Sequence, residues 1–263
     1  MSKNIFVQAI LIVGVFLGVY FGLSQIDYMK AFHIKEATDT TEEKLGDLFW
    51  ETIKKTEHVV QNDSVNRYVD KIVTRIAEKN HIDRETIKVH IVEKDEVNAF
   101  AMPNRYLIIY TGLIKSADNE SELAGVICHE MAHIERNHVM KKLVKELGLS
   151  MLLSITTGGR SPEMIKEAAK MLSSTAYDRE LESEADLTGA DYMMEAGLDP
   201  AELADFLYKM STEDAMPEQI YWVSTHPESK ARAEAIVNYI KGEKFEKKPI
   251  LTKAEWQYLK DNQ

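Results

Sequence analysis

Residues 121–138 read Ser-Glu-Leu-Ala-Gly-Val-Ile-Cys-His-Glu-Met-Ala-His-Ile-Glu-Arg-Asn-His, which sets two histidines four positions apart in a strongly helical run. An i, i+4 pair shares one helix face, so His129 and His133 can both reach a single metal ion. Glu130 is turned about 100° from His129. It is poorly placed as a ligand but close enough to accept a proton from a water on the metal, the work of a general base. A charged surface helix could carry the same spacing by chance, but Leu123, Ala124, Val126, Ile127 and Cys128 make this helix apolar, as an interior helix must be. Cys128, the one cysteine, reads as a small core residue and cannot form an intrachain disulfide.

A catalytic zinc site takes three protein ligands and keeps one position open. The third is expected about fifty residues on, in Tyr177-Asp178-Arg179-Glu180-Leu181-Glu182-Ser183-Glu184-Ala185-Asp186. Glu182 and Asp186 are themselves i, i+4 on a second helix, so one can bind the metal while the other accepts an N–H from a ligating histidine. Glu180 and Glu184 form a rival pair that spacing alone does not exclude, and a solvated acidic face is the lesser alternative. Ala185 and Gly189 beside the Glu182 face leave room for the metal helix to come close.

With 263 residues, 44% hydrophobic and 29% charged, the chain suits one globular domain plus a membrane segment and short tails. The net charge of −11 includes no basic block, which argues against nucleic acid as a partner. Residues 5–23 contain only Gln8 as a strongly polar member, and a helix of that length rises about 28 Å, close to a bilayer's hydrocarbon core. Tyr20, Phe21, Tyr28 and Phe32 gather at its far end, as aromatic residues do at headgroups. Cleavage after Gly22-Leu23-Ser24, as in a signal peptide, is the alternative. Lysines on both flanks leave the orientation undecided.

The remainder divides into residues 1–26 as an anchor, 27–40 as a juxtamembrane linker, 41–241 as the catalytic domain and 242–263 as a charged tail with Trp256 and Tyr258 as docking residues. Residues 38–43 resemble a helix start, residues 60–77 an amphipathic helix, and residues 87–92 and 106–110 are β-branched and aromatic runs that predict two or three strands, with Pro103-Asn104 as a turn. From residue 121 to 240 the pattern is helical, broken at Gly158-Gly159, at Gly197-Leu198-Asp199-Pro200 and at His226-Pro227. Residues 147–155 are too short an apolar run to span a bilayer and read as a packed helix or a lid. The fold class is α+β, mainly helical, with a small sheet beside the metal helix.

These blocks, in this order, resemble the HtpX and CAAX-prenyl-protease-like family of zinc metallopeptidases, gluzincins with a zincin-like fold. The resemblance covers roughly residues 41–240. It rests on Val97-Asn98-Ala99-Phe100-Ala101-Met102-Pro103, on Gly112-Leu113 with Glu122-Leu123-Ala124-Gly125-Val126, on residues 129–138, on Arg179 with Glu182 to Asp186, and on Thr225-His226-Pro227 with Arg232. It implies one Zn²⁺ per chain held by His129, His133 and Glu182, with Asp186 in support and Arg232 packed nearby. Asn98, Ala99, Phe100 and Ala101 would border the cleft as an exposed edge strand able to pair with an extended polypeptide. The chain departs from the family at Asn104-Arg105, where Gly-Gly is common.

Pro227 disfavours helix at the residue before it, so His226 should project from a loop. The resemblance implies a place near the zinc, where it would stabilise an oxyanion or fill the open position and hold the enzyme latent; the alternative is a structural role at the helix start, with Arg232 packing nearby. His138 falls off the His133 face and reads as structural or supporting; His33, His58, His81 and His90 have no ligand-like spacing. The expected activity is endopeptidase cleavage of unfolded or misassembled proteins, with the domain outside the cytoplasm. A binding or chaperone-like module on the same fold is the competing reading, although such a module could dispense with Glu130. A multi-helix prenyl-peptide protease is disfavoured, because one long apolar run does not build a lipid-facing chamber from this chain alone.

Overall fold

The structure, a computed structural model, describes residues 34–158, 161–211 and 220–263. The apolar run at residues 5–23 and the linker up to residue 33 lie outside the described residues; among those described, no helix is long and apolar enough to cross a membrane. The chain divides into two compact units, Met1–Thr41 and Glu42–Gln263, and the features described below from Glu42 onward lie in the second.

Helix α1 (Ile34–Thr56) runs through residues 38–43, so the hydroxyls read as a helix start lie inside a longer helix. Within the larger unit α1 buries Leu45 and Phe49 completely and stacks Trp50 on His90 at 3.7 Å. Burial pushes His90 down to about 4, so this half-buried histidine is neutral. Helix α2 (Asp63–Lys79) starts where the Asn62 side chain accepts from the N–H groups of Ser64 and Val65. Its buried Val65, Val69, Ile72, Val73 and Ile76 follow the helical period.

Three strands follow: β1 (Lys88–Val92), β2 (Ala99–Met102) and β3 (Tyr106–Tyr110), in the order β1-β3-β2. The central β3 is parallel to β1 and antiparallel to β2, and all five of its residues are buried. Buried on both faces, it reads as a continuous apolar run instead of an alternating one. In the turn between β2 and β3, Asn104 and Arg105 both have φ near +60°, the region that Gly-Gly would occupy without steric cost. What Arg105 adds is an ion pair with Glu135 at the end of the metal helix.

The chain leaves β3 directly into α3 (Thr111–Ser116) at Gly112, where a Cβ would fall 2.2 Å from the Asp95 carbonyl oxygen. The remaining helices are α4 (Glu120–Glu135), α5 (His138–Leu147), α6 (Leu149–Thr156), α7 (Pro162–Ser174), α8 (Arg179–Ala196), α9 (Ala201–Met210), α10 (Ile220–Thr225), α11 (Ser229–Tyr239) and α12 (Lys253–Asp261). Helix α4 is the axis of the unit, with β2 along one side and α8 and α9 along others. Residues 242–263 belong to the same body. Leu251 and Leu259 are buried, Glu120 accepts the N–H groups of Ile250 and Leu251, and the Tyr258 ring meets Tyr68 edge-on.

Candidate metal centre

Asn119 opens α4 by accepting from the N–H groups of Ser121 and Glu122, and from there to Ile134 nearly every residue is buried. Its two histidines turn Nε2 toward one point, 3.0 Å apart. Helix α8 crosses at close range because Gly189 has no side chain: a Cβ there would meet the His129 backbone nitrogen at 3.2 Å. The approach brings Glu182 Oε2 to 3.6 Å from His129 Nε2 and Glu182 Oε1 to 3.7 Å from His133 Nε2. His226 completes the cluster, and ligand atoms from His129, His133, Glu182 and His226 all lie within 4.8 Å of one another.

The rival acidic pair is placed elsewhere. Glu180 is exposed, and Glu184 is 43% exposed and faces His138. Asp186 is buried with Oδ1 3.0 Å from His129 Nδ1, while Arg232 from α11 donates Nε and Nη2 to Asp186 at 2.6 Å each and sets Nη1 2.5 Å from Glu182. Burial alone would push both carboxyls up, but His226 and then Arg232 outweigh it for Glu182, which sits at about 2, and Arg232 holds Asp186 lower still. Both are therefore carboxylates at neutral pH.

Glu130 lies beside this group. The Ala101 N–H donates to its Oε2 at 3.0 Å, while Oε1 has no donor among the described residues and stands 3.6 Å from His226 Nε2. Burial, reinforced by Glu182 and opposed by His129, pushes its carboxyl up to about 7. Glu182 Oε1 likewise lacks a hydrogen-bond donor. Two buried carboxylate oxygens without donors, facing two imidazole Nε2 atoms, would be costly in the absence of a cation. The residues present therefore fit a divalent metal ion.

The edge strand departs from expectation in one respect. β2 is at the edge of the sheet, but Asn98 and all four strand residues are buried. Helix α7 packs against β2, and Asn98 Nδ2 donates to the Ser173 carbonyl at 3.2 Å. On the outward side of this strand the Ala101 N–H is committed to Glu130.

His226 sits between α10 and α11 as Pro227 requires, its N–H donating to the Trp222 carbonyl and its ring stacked on Trp222 at 4.0 Å. Burial pushes it down to about 4, so it is neutral. Sequence reasoning missed the aromatic and cationic packing around His133. Tyr177 stacks on that imidazole at 3.9 Å, and Lys142, buried, lies 4.2 Å from the Tyr177 ring centroid while donating to the Leu172 and Thr175 carbonyls. Neither residue carries a spacing signal: Lys142 lies on α5, and Tyr177 comes to it from the segment between α7 and α8.

A mainly helical domain with a three-stranded sheet, built around a buried His, His, Glu and His cluster with a free carboxylate, has the form of a metallopeptidase. Residues 63–240 match the model of peptidase family M48, and the chain belongs to that family. Among curated relatives, it is 26% identical over 198 residues to the mitochondrial metalloendopeptidase OMA1 of Arabidopsis thaliana, covering 74% of this chain and 39% of the relative. It is 23% identical over 205 residues to the beta-barrel assembly-enhancing protease of Escherichia coli K12, covering 72% and 42%. It is 29% identical over 161 residues to the mitochondrial metalloendopeptidase OMA1 of Bos taurus, covering 56% and 31%. The chain thus spans about two fifths or less of these relatives' lengths, and what they share is the metalloprotease domain.

Proposed function

We propose that this metalloprotease is a zinc-dependent endopeptidase in which His129, His133 and Glu182 hold the ion, Glu130 is the general base, and unfolded or misassembled polypeptides of the membrane or cell envelope are the substrates. The observation that carries the reading is the convergence of four buried ligand atoms within 4.8 Å, with the Glu130 carboxylate alongside. Two imidazoles and a carboxylate suit zinc among the divalent ions. When bound, zinc supplies Lewis acidity and lowers the pKa of water to about 7.

The chain's own residues do the rest. The Ala101 N–H fixes Glu130 by one oxygen and leaves the other free to take a proton from the attacking water and hand it to the leaving amine. Asp186 and Arg232 hold His129 and Glu182 in orientation, and β2 offers its backbone to an extended substrate once α7 withdraws. His226, neutral and within reach of the cluster, occupies the fourth side in the closed form and stabilises the oxyanion when the site opens. The relatives' names, mitochondrial metalloendopeptidase and beta-barrel assembly-enhancing protease, support a protease that works at a membrane or envelope, and the apolar run at residues 5–23 suggests a single-pass anchor in the inner membrane with the domain on the outer side.

Cleavage of casein by the 263-residue chain and by its Glu130→Gln variant at equal bound zinc tests this. The variant should lose at least ~10²-fold in kcat/KM, the usual worth of a positioned acid–base group, with its melting temperature and metal content unchanged. Equal activity in the two proteins would remove Glu130 from the chemistry. Zinc bound but casein uncut by both the parent and its His226→Ala variant would favour the binding-module reading.

A further inference from the structure

The two ligating histidines are supported differently. His129 faces Asp186 directly through Nδ1. For His133 the atom in that position belongs to another histidine: His133 Nδ1 lies 2.9 Å from His138 Nδ1, and His138 Nε2 lies 3.3 Å from Glu184 Oε2. Helix α4 ends at Glu135, and Asn137, with φ 56°, turns the chain through the left-handed region before α5 begins at His138. That single left-handed residue folds His138 back over the last turn of α4. A five-residue spacing that misses the face of a continuous helix therefore becomes direct contact.

Protonation follows from the geometry. His133 presents Nε2 to the cluster, so that nitrogen needs a free lone pair and Nδ1 must carry the proton. The Nδ1–H can donate only if His138 Nδ1 accepts, and a neutral His138 that accepts there carries its proton on Nε2, which points at the Glu184 carboxylate. The arrangement is self-consistent in one tautomer of each ring. His138 is fully buried, and Tyr177, stacked on His133, also packs against its ring. At the outer end Arg136 Nε lies 3.7 Å from Glu184 Oε1.

We propose that His138 and Glu184 are positioning residues for metal binding: a relay His133–His138–Glu184 fixes the His133 tautomer and ring, as Asp186 does for His129. Helix α8 would then supply the third ligand and the outer carboxylate of both histidine ligands, Glu182, Asp186 and Glu184 within one and a half turns. The inference rests on the proposed assignment of His129, His133 and Glu182 as ligands.

The test is zinc affinity of the full chain, measured by competition with a chromogenic chelator, together with melting temperature of the metal-free form. Parent protein binding one zinc, lost in His129→Ala, establishes the site independently; no zinc in the parent overturns both readings. His138→Leu should then weaken zinc by ~10–100-fold, the usual cost of removing such a partner, and Glu184→Ala by roughly the lower end of that range. In the His138→Leu background, Glu184→Ala should cost nothing further, because its route to the metal is gone. The half-exposed Glu184 can be changed without threatening the fold, so that variant decides the matter even if His138→Leu is unstable. Zinc affinity unaltered by Glu184→Ala, or losses that add in the double variant, would overturn the relay, since a merely structural role lowers the metal-free melting temperature and leaves zinc affinity unchanged.

Discussion

The sheet side of the molecule and its helical centre are equally buried but built on opposite principles. Around β3, the core consists of Leu107, Ile108 and Ile109 with Leu45, Phe49, Val69 and Ile72, all at 0% exposure and mainly apolar. In the helical centre, α4, α8, α11 and the loop before α11 bury His129, Glu130, His133, Glu182, Asp186, His226 and Arg232. In the first region, burial is favourable for each side chain taken alone, about 25 cal/mol per Å² of apolar surface. In the second, every group is costly by itself and acceptable only with its partners in place. The first region can absorb conservative change; in the second, removing one member strands the others. Stability and function are thus separable here by position.

The sharpest way to break this contrast is Arg232→Met, which keeps volume but leaves Asp186 and Glu182 as buried carboxylates without their guanidinium. It should destabilise the metal-free protein by about 3–5 kcal/mol, as breaking a buried pair does, readable by urea unfolding. Saturating zinc should recover part of that loss, because a metal that binds only the folded state stabilises it. A change below ~1 kcal/mol, the scale of exposed pairs, would mean that the centre is more hydrated than its burial implies. Next is Leu107→Ala in the middle of β3, expected to cost about 2–5 kcal/mol by cavity formation. Its zinc affinity and kcat/KM per folded molecule should match the parent; a parallel loss of activity would show that the two regions are not independent.

The smallest stability effect and the most informative is Gly189→Ala. Helix propensity favours alanine by about 1 kcal/mol, but the new Cβ would press on the His129 backbone at 3.2 Å. The two should largely cancel in melting temperature, while zinc affinity falls because α8 can no longer bring Glu182 fully to the histidines. Unchanged affinity would show that the helix crossing has slack.

The same contrast explains what could be read from the sequence. The metal helix, Glu130 and the two strand runs were legible because period and spacing act locally: i, i+4 on one helix holds whatever surrounds it. The helix breaks at Gly197 and His226-Pro227 were legible because those residues limit the backbone itself. Spacing alone left Glu182 and Glu184 both open, and only the small neighbours Ala185 and Gly189 pointed to the Glu182 face. The choice depends on which face of α8 meets α4, which Gly189 decides through a contact 60 residues away in the chain (189 to 129). The break at Asn137 was invisible because asparagine adopts the left-handed conformation only in some contexts, and with it the contact of His138 with His133 was hidden. Burial of β2 also escaped, because the covering α7 comes from a distant segment with no motif of its own.

The central claim is that His129, His133 and Glu182 share one metal ion. Anomalous diffraction at the zinc edge from crystals of the zinc-loaded chain tests it most directly. The account predicts one peak bounded by Nε2 of His129, Nε2 of His133 and the Glu182 carboxylate, at about 2.0–2.2 Å from each. A peak held by other side chains, or none at this cluster in protein that retains stoichiometric zinc, would contradict it.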